Sequence, residues 1–282
     1  MRGRRASLVA SPYVAFALVF IAAPVALIVF YSLTKQGQLS FAHFARFFDP
    51  GNPIYMRVLL RSVNIAVIST VICLILGYPM ALILSRLSPK VRNILSFLFV
   101  LPMWMNFLLR TYAWMTLLEH TGVINTALNS LFNRPEDAEP LLRLMYTQWA
   151  VVLGNVYNFL PFMILPIYTV LIKLDRSVLE AARDLGANER KTFLKVILPL
   201  SIPGVVSGII MTFMPALTTF IISKLLGGSQ NILIGDLIET QFGQSDWGFG
   251  SAMSVILMVF IILTMGIMSR YEKDNADRGL LL

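Results

Sequence analysis

Charge is what this sequence has least of. Asp, Glu, Lys and Arg together make up 13% of its 282 residues, against roughly 25% in an average soluble domain. So few charges cannot coat a globule, and a soluble enzyme or binding module is excluded. Cysteine is nearly absent: Cys73 is the only one and stands inside an apolar run, which removes a disulfide framework and any CxxC metal pair. His43 and His120 stand far apart, so no metal site is expected. No GxxxxGKS or GxxxxGKT run occurs, and the chain therefore has no loop of its own to cradle nucleotide phosphates. Nor does a nucleophile stand with a base beside it, so no catalytic residue is expected.

Hydrophobic residues fill the space instead, at 57% of the chain. They fall into six stretches, residues 12–33, 63–84, 94–118, 146–172, 202–223 and 251–269. Each is long enough to cross a hydrocarbon core about 30 Å thick. In lipid the backbone must satisfy itself internally, so the spans are expected to be helices and the fold all-α, one transmembrane domain over residues 1–282. The basic start, MRGRRAS, resembles a signal peptide, but the apolar run behind it is too long and lacks a small-residue cleavage site, which predicts an uncleaved anchor.

Alternate connections carry the basic residues. Arg2, Arg4 and Arg5, then Arg86, Lys90 and Arg92, six more between Lys173 and Lys195, and finally Arg270, Lys273 and Arg278 account for fifteen of the 23 Lys and Arg. The positive-inside rule makes that side cytoplasmic, with both termini and the connection 173–199 on it. Basic residues kept to short clusters, without a stripe of interleaved aromatics, speak against nucleic acid as a partner. The opposite side carries acids: Glu119, Glu136, Asp137 and Glu139 in one connection, Asp236, Glu239 and Asp246 in another. Pro161, Pro166, Pro203 and Pro215 fall in or beside the later spans, where kinked helices suit a lined cavity better than a simple anchor.

The connection 173–199 is both charged and helix-forming. Asp175 is placed to cap a helix, with Leu174 and Leu179 as a staple around it. Val178, Ala181, Ala182 and Leu185 share one face. Gly186 stands where a left-handed C-terminal residue is wanted, Asn188 can cap a second short helix, and Pro199 is expected to end it. The result is a compact helix-turn-helix whose small alanines suit helix-in-groove docking on another protein.

Glu180, Ala181, Ala182, Gly186, Val196, Leu198 and Pro199 match the pattern E-A-A-x3-G-x9-(I/V)-x-L-P. This resembles the EAA loop of ABC importer permeases. The resemblance implies a six-helix type I permease with cytoplasmic coupling helices, in which Glu180, Ala181, Ala182, Asp184, Gly186, Leu198 and Pro199 couple to a separate ATPase. Two copies of that ATPase would hold the ATP and magnesium; this chain would bind no cofactor itself.

Further stretches are similar to spermidine/putrescine permeases of the PotB type: LGYPMALILSRLSPKVR (76–92), LPMWMNFLLRTYAWM (101–115), LPFMILPIY (160–168), LDRSVLEAARDLGA (174–187) and LLGGSQNILIGDLIETQFGQSDWGFGSAMS (225–254). Gly248 departs from the pattern where proline is expected, and Met103 where an aromatic is usual. The resemblance implies a heterodimeric pore with a second permease and an external polyamine-binding protein, in a bacterial inner membrane. LGGSQ (226–230) is also faintly similar to an ABC signature, but without a P-loop the match is a coincidence.

A polyamine is a flexible polycation, so its path should offer carboxylates and aromatic faces. Asp246 beside Trp247, with Glu239 and Asp236 upstream, supplies that combination, and Trp104, Asn106, Tyr112 and Asn158 are path candidates within the spans. The alternative for each is interfacial anchoring, helix bridging or plain loop structure. Arg110 lies within a span, where a charge costs about 3 kcal/mol. It would repel a polycation and is assigned to structure or gating. A permease for another small solute, such as an amino acid derivative, a phosphonate or ferric ion, remains open. An ion-coupled transporter would want carboxylates inside the spans, and none stands there.

Overall fold

A computed structural model describes residues 12–132, 135 and 142–279. The basic residues Arg2, Arg4 and Arg5 and the acids Glu136, Asp137 and Glu139 lie outside these. The described chain is helical almost throughout: α1 (Pro12–Ser32), α2 (Ala42–Phe47), α3 (Ile54–Arg86), α4 (Pro89–Val100), α5 (Phe107–Leu118), α6 (Val123–Leu131), α7 (Gln148–Leu171), α8 (Arg176–Asp184), α9 (Glu189–Thr218), α10 (Ile234–Gly243) and α11 (Trp247–Gly279). Among the described residues, α1, α3, α7, α9 and α11 are long and apolar enough to cross a membrane.

Residues 94–118, read from the sequence as one crossing, form a broken pair: Pro89–Trp104 and Phe107–Leu131 meet at 91°. The break has local causes. Met105 and Asn106 adopt extended ψ angles of 147° and 128°, and the Asn106 side chain accepts from the amides of Leu108 and Leu109 at 2.8 and 3.4 Å. It thereby caps a new helix instead of continuing the old one. Hydropathy does not change across the break, so the apolar run conceals it.

Two compact units divide the chain: residues up to Arg57 with Leu237–Ile262, and Val58–Asp236 with residues from Leu263 on. In the first, α1 exposes its apolar side chains along its length, as a helix facing lipid does. A two-stranded ribbon follows, Thr34–Lys35 against Gln38–Leu39, closed by Gln36 and Gly37 at φ 51° and 78°. Two successive left-handed residues are the turn that a two-residue hairpin needs.

In the second unit α7 and α9 pack face to face. Gly204 and Gly208, four residues apart on α9, supply the flat surface: a Cβ on Gly204 would stand 2.9 Å from the Pro166 carbonyl oxygen, and one on Gly208 2.8 Å from Met163 Sδ. Small residues at this spacing let membrane helices approach backbone to backbone, where dispersion rather than the hydrophobic effect holds them. Gly154 does the same toward Ile222 and Leu226. The prolines of α7 and α9 are contained within continuous helices.

Candidate functional site

The hairpin at the end of α7 forms from its own sequence. Asp175 accepts from the Ser177 amide at 2.9 Å and opens α8. That bond holds the Asp175 carboxyl below the usual carboxylate range. Leu174 and Leu179 are both half-buried, as a staple requires. At the other end Gly186, at φ 78°, donates to Arg183 O at 2.9 Å and Ala187 donates to Ala182 O at 3.0 Å. This double closure satisfies carbonyls that the helix end would leave open. Asn188 then caps α9, accepting from Lys191 at 2.9 Å.

Pro199 does not end a second short helix. α9 runs from Glu189 through Pro199 to Thr218. A π-turn at Phe193–Ile197 precedes the proline, and Pro199 falls in the first turn of the regular α-segment that follows. The π-turn bonds the Leu198 amide back to Phe193 O, five residues away, and at this shift of register a residue without a donor is tolerated. The hairpin is thus continuous with a membrane-crossing helix, and Leu198 and Pro199 lie in its shaft.

At about 100° per residue, Val178, Ala181 and Leu185 fall on one side of α8. All three are exposed, Leu185 to 89%. Ala182 is half-buried beside them, while Glu180 and Asp184 are exposed. The opposite side, with Leu179 and Arg183, borders a cavity of about 510 Å³ that the ends of α3 and α7 complete. An apolar stripe of this kind on a capped, charged helix has no cover among the described residues.

The acids of the second candidate group have structural engagements. Asp236 is buried and accepts from the Leu233 amide at 2.8 Å, turning back to cap the start of α10. Glu239 stands half-buried one turn further along that helix. Asp246 caps α11 through the Phe249 amide at 3.2 Å and accepts from Arg46 Nη1 at 2.9 Å. Arg46 also bonds Tyr55 and lies 4.0 Å from the Phe249 ring centre. Burial alone would lower its pKa, yet the bonds to Tyr55 and Asp246 prevail and raise it. Trp247 is exposed and packs edge-on against Phe242. Beside it, a Cβ at Gly248 would run into the His43 ring; this is a local reason for glycine at a position where proline is expected.

Within the spans, Trp104 is 75% exposed and meets Phe97 edge-on, Asn106 caps α5 as described, and Tyr112 is exposed. Asn158 is buried and donates to Gly154 O at 2.8 Å. Arg110 is buried with its guanidinium 5.9 Å from the Phe107 ring, and no carboxylate among the described residues lies within ion-pair distance. The LGGSQ run forms the wall of a second cavity, of about 640 Å³, beside His120 and Tyr146. Tyr146 is held at φ 60° by a bond from its amide to Leu226 O and by Asn231 on its carbonyl. Among the residues that the sequence reading passed over, the Gly204/Gly208 spacing was visible in advance; the Arg46 cluster and the strained Tyr146 carried no local signal.

Comparison with known proteins bears on these features. The family described as binding-protein-dependent transport system inner membrane component matches residues 73–276. The spermidine/putrescine transport system permease protein PotB of Salmonella typhimurium (strain SL1344) is 39% identical over 270 residues, covering 92% of this chain and 91% of that protein. Its counterpart in Escherichia coli (strain K12) is 43% identical over 220 residues, 77% and 76% of the two chains. Among solved structures, a bacterial ABC transporter importing the acidic polysaccharide alginate superposes with a TM-score of 0.75 at 16% identity, covering 95% of this chain and 96% of that one. At such identity the likeness speaks for the fold, that of type I ABC importer permeases.

Proposed function

The chain belongs to the family of binding-protein-dependent transport system inner membrane components, a multi-pass membrane permease, and we propose that it carries polyamines inward as one subunit of an ATP-driven importer. The names of its relatives support the cargo. The carrying observation for the mechanism is the exposed stripe of Val178, Ala181 and Leu185 on a helix capped at both ends. It is shaped to dock in a groove of a cytoplasmic ATPase, present in two copies and holding ATP and magnesium, while this chain stays non-catalytic.

The basic connections and both termini face the cytoplasm by the positive-inside rule. A second, similar permease completes the pore, and an external binding protein delivers spermidine or putrescine at the acidic side. Because α9 begins at the hairpin and continues as one helix into the bundle, a push on α8 is transmitted along it. Closure of the two ATPase subunits then rocks the helices between inward-open and outward-open arrangements. Glu239, Trp247, Trp104, Tyr112 and Asn158 are the path contacts; Asp236, Asp246 and Asn106 serve it through the helix ends they cap. Arg110 acts in gating or structure.

Each positive charge moving inward gains about 2.3 kcal/mol per 100 mV of membrane potential. Driving force for a polycation is therefore ample, and coupling to ATP chiefly enforces direction and prevents leak. The test is uptake of labelled spermidine and putrescine into proteoliposomes holding both permeases, the ATPase and the binding protein. ATP-dependent uptake that Leu185→Asp abolishes, with the permease pair still assembled, is the expected result. Uptake unaffected by Leu185→Asp would remove the docking mechanism, and uptake of neither polyamine would remove the cargo.

A further inference from the structure

The cavity beside α8 has a chemistry that the docking stripe does not use. Thr192, only 5% exposed, lines it, and its hydroxyl has no hydrogen-bond partner among the described residues. The Nε–H of Arg92, which also lines it, is buried and equally without a partner among the described residues. A guanidinium can only donate, and the threonine hydroxyl is free to do so. Buried donors left unpaired are costly, and such a pair calls for an acceptor from outside the chain.

Charge indicates which acceptor. Arg86 and Arg183 stand exposed at the edge of the same cavity with Glu180 and Glu189. None of the three arginines makes an ion pair among the described residues. Three guanidinium groups against two carboxylates leave positive charge in excess. Its walls, moreover, are the last turns of two membrane-crossing helices: Ser85 and Arg86 close α3, and Leu171 closes α7. There the hydrocarbon region gives way to headgroups. The cavity also lies on the side of α8 away from Val178 and Leu185, so a protein docked on that stripe would leave it open to lipid.

We propose that this cavity seats the phosphodiester of an anionic phospholipid, with Arg92 Nε and the Thr192 hydroxyl donating to its oxygens and Arg86 and Arg183 guarding the entrance. Basic pockets between transmembrane helices on the cytoplasmic side are a recurrent way to hold such headgroups. A lipid in this position ties the hairpin to the ends of α3 and α7, so that α8 moves with the bundle. Neither the cargo nor the ATPase enters this inference, and it stands or falls separately from them.

The experiment uses the full chain purified in neutral detergent and titrated with phosphatidylglycerol or phosphatidylcholine, with bound lipid counted by native mass spectrometry. Wild type is expected to retain phosphatidylglycerol in preference to phosphatidylcholine. Arg92→Gln should weaken that retention by about fivefold, the contribution of one basic side chain near an anionic surface. Thr192→Val, which keeps the shape, should weaken it less, and Lys90→Gln, outside the cavity, not at all. Arg92→Lys, keeping the charge without Nε, should fall between wild type and Arg92→Gln, and with Thr192→Val it carries the test if Arg92→Gln does not fold. Equal retention of the two lipids would overturn the proposal, as would undiminished phosphatidylglycerol in Thr192→Val and Arg92→Lys together. Full displacement by millimolar inorganic phosphate would also overturn it, by making the ligand a free anion.

Discussion

Arg46 and Asp246 lie 200 residues apart in the chain, and the Arg46 Nη1 donates to Asp246 Oδ2 at 2.9 Å. The same carboxylate caps α11 through its other oxygen, which accepts from Phe249. One side chain therefore both starts a membrane-crossing helix and fastens α2 to it, while Arg46 rests on the Phe249 ring.

The two tasks of Asp246 separate by substitution. Asp246→Asn keeps a capping oxygen and loses only the ion pair. That pair is 49% and 36% exposed, so it contributes less than about 1 kcal/mol. Asp246→Ala forfeits the cap as well, a further loss of about 1 kcal/mol. Thermal unfolding in detergent should rank wild type, Asn and Ala in that order, with the larger step at Ala. Equal midpoints for Asn and Ala would show that the cap contributes nothing.

Gly204→Ala tests the helix contact. The added methyl would stand 2.9 Å from the Pro166 carbonyl oxygen and 3.0 Å from Ile167 Cα. Backbone cannot yield as a side chain would, so destabilisation of about 1–3 kcal/mol is expected. Gly266→Ala, with nothing within 4 Å of its new methyl and inside a helix, is the control and should hold or raise the unfolding midpoint, since Ala favours a helix over Gly.

Gly186→Ala meets no steric neighbour, yet its φ of 78° lies in the left-handed region. The penalty is then purely conformational, about 1 kcal/mol, and local to the hairpin. Hydrogen exchange should quicken at Ala182 to Ala187, where the closing bonds lie, while exchange within α7 stays unchanged. On the proposed mechanism, stimulation of a docked ATPase should fall as well, without loss of assembly.

The hairpin should also loosen in acid. Its amide bond from Ser177 depresses the Asp175 carboxyl in the folded state relative to the unfolded one. The stabilisation is therefore complete above the ordinary aspartate range, near pH 4, and is lost as pH falls through the lowered folded value. Protection at the first turn of α8, taken as exchange relative to the intrinsic rate at each pH, should fall from pH 6 downward in wild type and stay flat in Asp175→Asn. A flat wild-type profile would remove the cap from the account.

Much of α8 was legible in the sequence because its determinants are neighbours along the chain: Asp175 and Ser177, Ala182 and Ala187, Asn188 and Lys191. Pro199 was misread for the opposite reason. The π-turn before it shifts the hydrogen-bond register by one residue, and no residue type announces that shift. The bend at Met105 and Asn106 escaped because hydropathy reports the medium around a run, not its direction.

Sequence alone determined that this chain lives in a membrane as a set of long apolar helices, and that a capped hairpin interrupts the charged connection. Each of those follows from solvation of a run or from bonds spanning a few residues. Tertiary structure decided which polar groups meet and which stay alone: Asp246 is paired with Arg46, whereas the Arg92 Nε and the Thr192 hydroxyl, on two residues that line one cavity, find no partner among the described residues. Such choices depend on how helices far apart in the chain are packed, and local propensity holds no record of that packing.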